Sequence, residues 1–236
     1  MRPGSDLVFV GDVHLDRNDA VLDEFLAYLG GLAPRAGRIV LMGDLFNLWI
    51  GSPELEQDHH RAVVATLRRI RAGGTEIHYL EGNRDYRIAW LHLGSAFDAV
   101  SDEGLNESWG GRRIWAAHGD LVNRRDLQYR AWRRLSRSPA AWLLFSSIPR
   151  ARRFAMAESL ERSMRATNVS MKRALPEEAI RAYAARHVSS PGAAVVLGHF
   201  HAARALDGQV FVLPEWKGSR RHLRATAGGE LRFEDA

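Results

Sequence analysis

Five short polar groups hold the side chains of this 236-residue chain best suited to metal or acid–base chemistry. They are Asp12-Val13-His14, Gly43-Asp44, Gly82-Asn83-Arg84-Asp85, His118-Gly119-Asp120 and Gly198-His199-Phe200-His201. Their donors are carboxylate and amide oxygens and imidazole nitrogens. That set suits Mn²⁺, Fe²⁺ or Zn²⁺ in an octahedral-like environment. The chain has no cysteine, which excludes disulfide scaffolds, thiolate metal sites and cysteine nucleophiles. In Asp12-x-His14, residues i and i+2 of an extended segment point the same way, so both can reach one ion. His199-x-His201 repeats the spacing, although its two rings can serve different ions. Two ions roughly 3.5–4 Å apart activate water and clamp a phosphoryl group during in-line displacement. Taken singly, a Gly-Asp after a strand is an ordinary turn, and a lone histidine is structural. His59, His60, His78, His92 and His222 are read in that plain way. The argument for a site is that five such groups each close a strand-like run.

Those runs are the elements that must position the donors. Leu7 to Val10, Arg38 to Met42, Glu76 to Leu80, Arg113 to Ala117 and Ala193 to Leu197 are short and apolar, and each leads into one of the polar groups. Asp19 to Leu29 and His59 to Arg71 have helical spacing of apolar residues, with breaks expected at Gly30-Gly31 and Gly73-Gly74. Gln209 to Leu213 and Glu230 to Phe233 read as closing strands. Strands alternating with helices indicate an α/β fold. In such sheets ligands bind outside the carboxyl ends of the strands. Residues 126–187 lack strand signals and read as helices broken near Pro139, Pro149 and Pro176. They form a helical insertion within one 236-residue domain.

The ordered groups from Val8 to His201 resemble the calcineurin-like metallophosphoesterase superfamily. The resemblance implies a β-sandwich flanked by helices, α/β of the α+β type, with a dinuclear metal centre at the sheet edge. It implies one metal held by Asp12, His14, Asp44 and His201. The second would be held by Asp44, Asn83, His118 and His199, with Asp44 bridging. Asp85 would orient neighbouring groups, and Asp120 is a weaker candidate for the same work. Most of that superfamily has histidine where this chain has Arg84. Arginine is no useful general acid, because its pKa exceeds ~12. It holds a phosphate bidentately and keeps its charge. A phosphate leaving group, as in a pyrophosphate bond, fits that change better than an alkoxide.

Gly-Asn-Arg-Asp, together with Gly43 to Gly51, is similar to one branch, the UDP-2,3-diacylglucosamine diphosphatases of lipid A biosynthesis. The resemblance implies two divalent ions, most simply Mn²⁺. It implies catalytic roles for Asn83, Arg84, Asp85 and His118. The substrate would be a UDP-linked diacylated glucosamine, held beneath a helical lid at residues 126–187. Asp126 and Tyr129 match positions after the fourth motif. Asn168, Ser170 and Lys172 are candidates for sugar and phosphate contacts in the lid, beside Asn83, Arg84, Asp126 and His199. Phe200 stands where threonine is usual, and Leu213 to Ser219 follow the branch loosely.

The charge balance is uneven. The whole chain has a net charge of +5, whereas Leu121 to Arg186 holds 15 basic and 5 acidic residues, a net of +10. The same stretch contains Trp132, Trp142, Leu143, Leu144, Phe145, Ile148 and Phe154. The stretch reads either as a solvated arginine-rich helical face packed by its own apolar stripe or as a positively charged, partly apolar surface for an anion, a nucleic acid or a lipid. No apolar run approaches ~18 residues, the length a spanning helix needs, and the first residues lack a signal-peptide core. The expectation is a cytoplasmic enzyme on the inner face of the membrane. No nucleic-acid partner or obligate protein partner is expected. The alternative activity is phosphodiester or nucleotide pyrophosphate hydrolysis on a soluble substrate. A nucleic-acid-binding module built on the arginine-rich segment leaves the five strand-end groups unexplained.

Overall fold

Side chains alternate along the first strand, β1 (Asp6–Val10), and the alternation sets the layers of the molecule. Leu7 and Phe9 join one apolar cluster, and Val8 and Val10 join another. The computed structural model describes residues 5–168, 175–188, 190 and 192–236. After β1 come α1 (Leu22–Leu32), β2 (Ala36–Leu41), β3 (Trp49–Ile50), α2 (Asp58–Ala72), β4 (Glu76–Leu80), β5 (Asp85–Tyr86), α3 (Ile88–His92), β6 (Ala99–Ser101), β7 (Leu105–Trp109) and β8 (Arg112–Ala117). Four helices follow: α4 (Leu127–Ser136), α5 (Pro139–Ser147), α6 (Arg150–Asn168) and α7 (Glu177–His187). The chain then completes β9 (Ala194–Leu197), β10 (Arg204–Leu206), β11 (Val210–Val212), α8 (Trp216–Ser219), β12 (Arg221–Ala225) and β13 (Leu231–Asp235).

Two sheets face each other. The first has six strands in the order β13-β12-β1-β2-β4-β6, and the second has five in the order β10-β11-β9-β8-β7. The cluster between them takes Leu7, Phe9, Val40, Met42 and Leu80 from the first sheet and Ile114, Ala116, Ala194 and Val196 from the second. Outside the first sheet, α1 and α2 bury Phe25, Leu29, Val63 and Leu67 against Val8, Ile39 and Ile77. Outside the second, α7 buries Ile180, Tyr183 and Ala184 against Ala117, Val195 and Leu197. The result is a helix–sheet–sheet–helix sandwich. The α/β reading and the flanked β-sandwich both hold.

Two local expectations change. The first helix runs through Gly30 and Gly31 to Leu32 instead of stopping at Leu29. Each exposed interior glycine costs roughly 1 kcal/mol relative to alanine, and burying Leu32 offsets that by about 1.5–3 kcal/mol. The strands β7 and β12 were not read from the sequence. Asn106 and Ser108 in β7, and Arg221 and Arg224 in β12, break the apolar runs, because these strands lie towards the rims of their sheets. The expected breaks at the prolines are found: Ser138 caps α5 ahead of Pro139, and Pro176 precedes α7. Among the described residues no helix is long and apolar enough to cross a membrane.

Candidate active site

Strands β1, β2 and β4 run parallel, as do β8 and β9, so five strand ends share one edge of the sandwich. The two sheets are joined there by His118, whose Nδ1 donates to the Met42 carbonyl at 2.8 Å. That bond turns Nε2 of His118 towards the site and fixes the tautomer a metal ligand needs. The loops after β1 and β2 continue side by side. Asp12 N–H donates to Gly43 O at 3.1 Å, and His14 N–H donates to Asp44 O at 3.0 Å.

This pairing corrects the expectation of an extended Asp12-x-His14. Asp12, His14, Asp44, His199 and His201 are left-handed, with φ of 53°, 52°, 50°, 68° and 53°. Asp and His enter that region more readily than most residues, but non-glycine residues still cost of order 1–3 kcal/mol each there. Five such residues among seven predicted ligands mark the edge as a built site. The kinked loops bring both side chains of each pair into the site.

The side chains converge in two groups. Asp12, His14 and His201 form one, and Asp12, Asp44 and His118 form the other. The Nε2 atoms of His14 and His201 lie 3.2 Å apart, and Nε2 of His201 is 3.3 Å from Asp12 Oδ1. Asn83 Oδ1 lies 3.1 Å from His118 Nε2 and 3.1 Å from His199 Nδ1. All seven predicted ligands therefore sit at one edge. Asp12 is common to both groups, whereas the resemblance implies Asp44 in that place. Asp44 is drawn towards the third motif: Arg84 N–H donates to its Oδ1 at 3.0 Å, and Arg84 Nε stands 3.4 Å from its Oδ2. Hard oxygen and borderline imidazole donors at this density fit a pair of divalent cations.

The electrostatics agree. Burial drives the His14 and His199 imidazoles down, to about 3 and about 4, so both rings are neutral and able to ligate. Burial works against the charged form of His118 too, but the carboxylates of Asp44, Asp12 and Asp120 outweigh it and push the ring up to about 9. Burial, and then the charge of Asp44, lift Asp85 to about 6. Burial likewise raises Asp44, against the pull of His118. Asp12 shifts the other way: despite its burial, the His201, His118 and His14 rings beside it hold its carboxyl well below the usual carboxylate range.

Gly82 is where these groups leave no room. A Cβ there would stand 2.2 Å from Asp44 Oδ1 and 2.8 Å from His118 Cε1. Gly82→Ala is expected to displace both ligands and lower divalent-metal affinity at least ~10-fold, as loss of ligand positioning does. The protein should stay folded. Calorimetric titration with Mn²⁺ beside a thermal melt checks it, and wild-type affinity would contradict the packing.

Several remaining candidates have definite places. Asp85 Oδ2 accepts from Asp44 N–H at 2.9 Å, Gly82 N–H at 2.8 Å and Tyr79 Oη at 2.8 Å, so it orients its neighbours as expected. The buried guanidinium of Arg84 also donates from Nη2 to Met164 O of α6 at 3.1 Å, joining motif to insertion. Asp120 accepts from the Tyr129 hydroxyl and from Arg133 Nε at 2.8 Å. Asp126 is the exposed N-cap of α4, its carboxylate accepting from Tyr129 N–H at 2.9 Å. Asn168 ends α6, and its side chain lies outside the described residues, as do Ser170 and Lys172 entirely. His60 and His92 have the structural roles assumed for them: His60 completes the cap of α2, and His92 Nε2 meets Glu56 at 2.5 Å.

Sequence reading missed Arg133 and Arg137. Both leave α4 for the core, Arg133 to Asp120 and Arg137 to the carbonyls of Gly82 and Asp85. Their i, i+4 spacing on an amphipathic helix was the available signal. Many insertion charges are matched the same way, Arg153 to Glu54 and Arg181 to Asp207 among them. The basic stretch is thus partly neutralised by the acidic remainder, a pairing that composition does not reveal.

Beside the site, α4, α5 and α6 line an open apolar cleft of about 580 Å³. Trp142, Leu144, Phe145, Ile148, Met156 and Leu160 line it from the insertion, and Ile50, Tyr86 and Arg87 from the core. Arg87 stacks over the Trp142 ring at 4.5 Å. Leu143, between Trp142 and Leu144 in sequence, is absent from the lining.

The sequence profile of the calcineurin-like phosphoesterases matches residues 6–203. The chain is 31% identical to a UDP-2,3-diacylglucosamine hydrolase of Pseudomonas putida, over 89% of this chain and 90% of that protein. It is 28% identical to one of Chromohalobacter salexigens, over 97% and 93%. Among solved structures, an uncharacterized protein of Streptococcus pneumoniae described as a predicted phosphoesterase aligns over 100% of this chain and 91% of its own, at 12% identity and a TM-score of 0.42. The matched span runs from the first strand past His201 and takes in every predicted metal ligand, so this chain belongs to the calcineurin-like phosphoesterase family and is a metal-dependent hydrolase.

Proposed function

We propose that the chain hydrolyses the diphosphate bond of UDP-2,3-diacylglucosamine, giving UMP and 2,3-diacylglucosamine 1-phosphate. Water adds across the P–O–P bond and leaves one phosphate monoester on each product. The observation that carries the lipid part is the apolar cleft of about 580 Å³ whose wall begins at Tyr86, two residues after Arg84. A site for a soluble nucleotide gains nothing from Trp142, Leu144 and Phe145 around an apolar space, whereas acyl chains do. The names and coverage of the curated relatives point the same way.

In this reading Asp12, His14 and His201 would hold one Mn²⁺ and Asn83, His118 and His199 the other, with the Asp44 and Asp12 carboxylates between the two groups. The ions supply Lewis acidity and an activated water. Arg84 binds the diphosphate through its guanidinium and keeps its positive charge throughout. Asp85 holds the turn that carries Asn83 and Arg84. The helices α4 to α6 act as a lid over the acyl chains. The enzyme works at the cytoplasmic face of the inner membrane, where its surplus arginines favour anionic lipid by about 1 kcal/mol each.

The test is Mn²⁺-dependent UMP release from the diacylated substrate, set against UDP-N-acetylglucosamine. The lipid should be hydrolysed far faster. Trp142→Ala should raise KM for the lipid by roughly 10-fold and change kcat little, since it removes binding made equally in ground and transition states. Equal rates on both substrates would sink the lipid reading and favour a soluble nucleotide pyrophosphate.

A further inference from the structure

We infer that Arg137 is a positioning residue for the metal centre. From the end of α4 it clamps the turn that presents Asn83 and Arg84, and so joins the wall of the apolar cleft to the metal ligands. Its Nη2 donates to Gly82 O at 2.5 Å and to Asp85 O at 2.9 Å, the two carbonyls that bracket Asn83-Arg84. Its Nη1 lies 3.8 Å from Glu81 Oε2 and 3.6 Å from Asp102 Oδ2. The guanidinium also stands 5.7 Å from the Tyr86 ring centroid, and the side chain is only 10% exposed. Charge-assisted bonds from a planar, mostly buried fork set position as well as energy.

Trp49 N–H donates to Arg84 O at 2.9 Å and the Tyr86 hydroxyl to Asn83 O at 3.4 Å, so the turn is held from several sides. Asp85 secures it from within, through Gly82 N–H and Asp44 N–H. Arg137 secures it from the insertion. One helical turn earlier Arg133 binds Asp120, two residues past His118, and its Nη1 lies 3.7 Å from the same Asp102 that Arg137 approaches. Two arginines of one helix thus reach the two loops that carry Asn83 and His118. Leu135 and Ser136, between them, line the cleft. A ligand that moves α4 moves the clamp.

This inference rests on the metal centre of the proposed function and is independent of the lipid. The experiment titrates Mn²⁺ into the full chain by calorimetry and electron paramagnetic resonance, with Asn83→Ala as the reference for losing the ion that Asn83 holds. Arg137→Met should weaken that same ion by about 10–100-fold, the usual effect of removing an outer support. The other ion should stay bound, and the spectral change should match that of Asn83→Ala. Arg137→Lys keeps the charge and can make one of the two bonds, so a loss of several-fold at the same ion is expected. It decides the matter if the methionine variant does not fold. Arg134→Met removes an equal charge from an exposed position of α4 and should bind both ions as wild type. On bis(p-nitrophenyl) phosphate, a probe without acyl chains, the Arg137 variants should lose kcat more than KM. Wild-type binding of both ions by Arg137→Lys, or an equal loss in Arg134→Met, overturns the inference. A wild-type chain that binds no pair of ions instead overturns the metal-centre reading beneath it.

Discussion

Asp44→Ala is expected to lower turnover at least ~10³-fold, equivalent to about 4 kcal/mol of transition-state stabilisation, and to release at least one metal. Asp44 is buried among the converging donors, grouped with Asp12 and His118. Its carboxylate is held by the Arg84 N–H at 3.0 Å, and its own N–H donates to Asp85 at 2.9 Å. Alanine removes the negative charge on which His118 and Arg84 converge and leaves both cations buried and less compensated, a change that typically destabilises by several kcal/mol. A melting measurement must therefore accompany the assay. Asp44→Asn separates the two effects, since it keeps the shape and hydrogen-bonding capacity while removing the charge. Metal content by emission spectrometry, beside kcat, checks the result. Full metal occupancy with full activity in Asp44→Asn would mean that the carboxylate is not a ligand.

Arg84→Ala is expected to cost on the order of 10²–10³ in kcat, the usual scale for losing one preorganised group at a developing charge, while both metals remain. Arg84 donates no ligand atom in this arrangement. Its guanidinium lies beside Asp44 and reaches Asn47 O at 3.4 Å and Met164 O at 3.1 Å. Arg84→Lys should recover part of the loss, because an ammonium keeps the charge but not the two-pronged geometry. Arg84→His tests the leaving-group argument more directly. A histidine there should favour alkoxide-leaving phosphodiesters over the diphosphate, because it can donate a proton where arginine cannot. Loss of metal from Arg84→Ala as complete as from Asp44→Ala would show that Arg84 holds the centre together instead of binding the phosphates.

The expected roles differ in how far they could be read without coordinates. The role of Asp85 was legible only through the family resemblance, and the structure shows it accepting from Gly82 N–H and Asp44 N–H. Asp126 was less so. It lies near the fourth motif in sequence, yet its carboxylate caps α4. The apolar stretch Trp142 to Phe145 stood out within the basic segment, and three of its four residues line the cleft. Which one points away depends on the rotation of α5 against α4 and α6, and no local pattern sets that. Arg133 and Arg137 looked like two more members of a basic run. Their partners are Asp102, Asp120 and the Gly82–Asp85 turn, up to 55 residues away.

The sequence by itself determined the donor types, their order and their places at strand ends, and with those the α/β class and the kind of metal chemistry, while the sandwich came from the family resemblance. Residue type decides which cations a site accepts, and the apolar runs decide where strands stop, so both are local properties of the chain. Tertiary structure alone decided the left-handed backbone at Asp12, His14, Asp44, His199 and His201, where the loops after β1 and β2 bond side by side and His199 N–H donates to Asp12 Oδ2. It also decided which arginines remain available to an anion and which are consumed in docking helices to the core. A charge count cannot separate the two, since an ion pair depends on distance in space and not on distance along the chain.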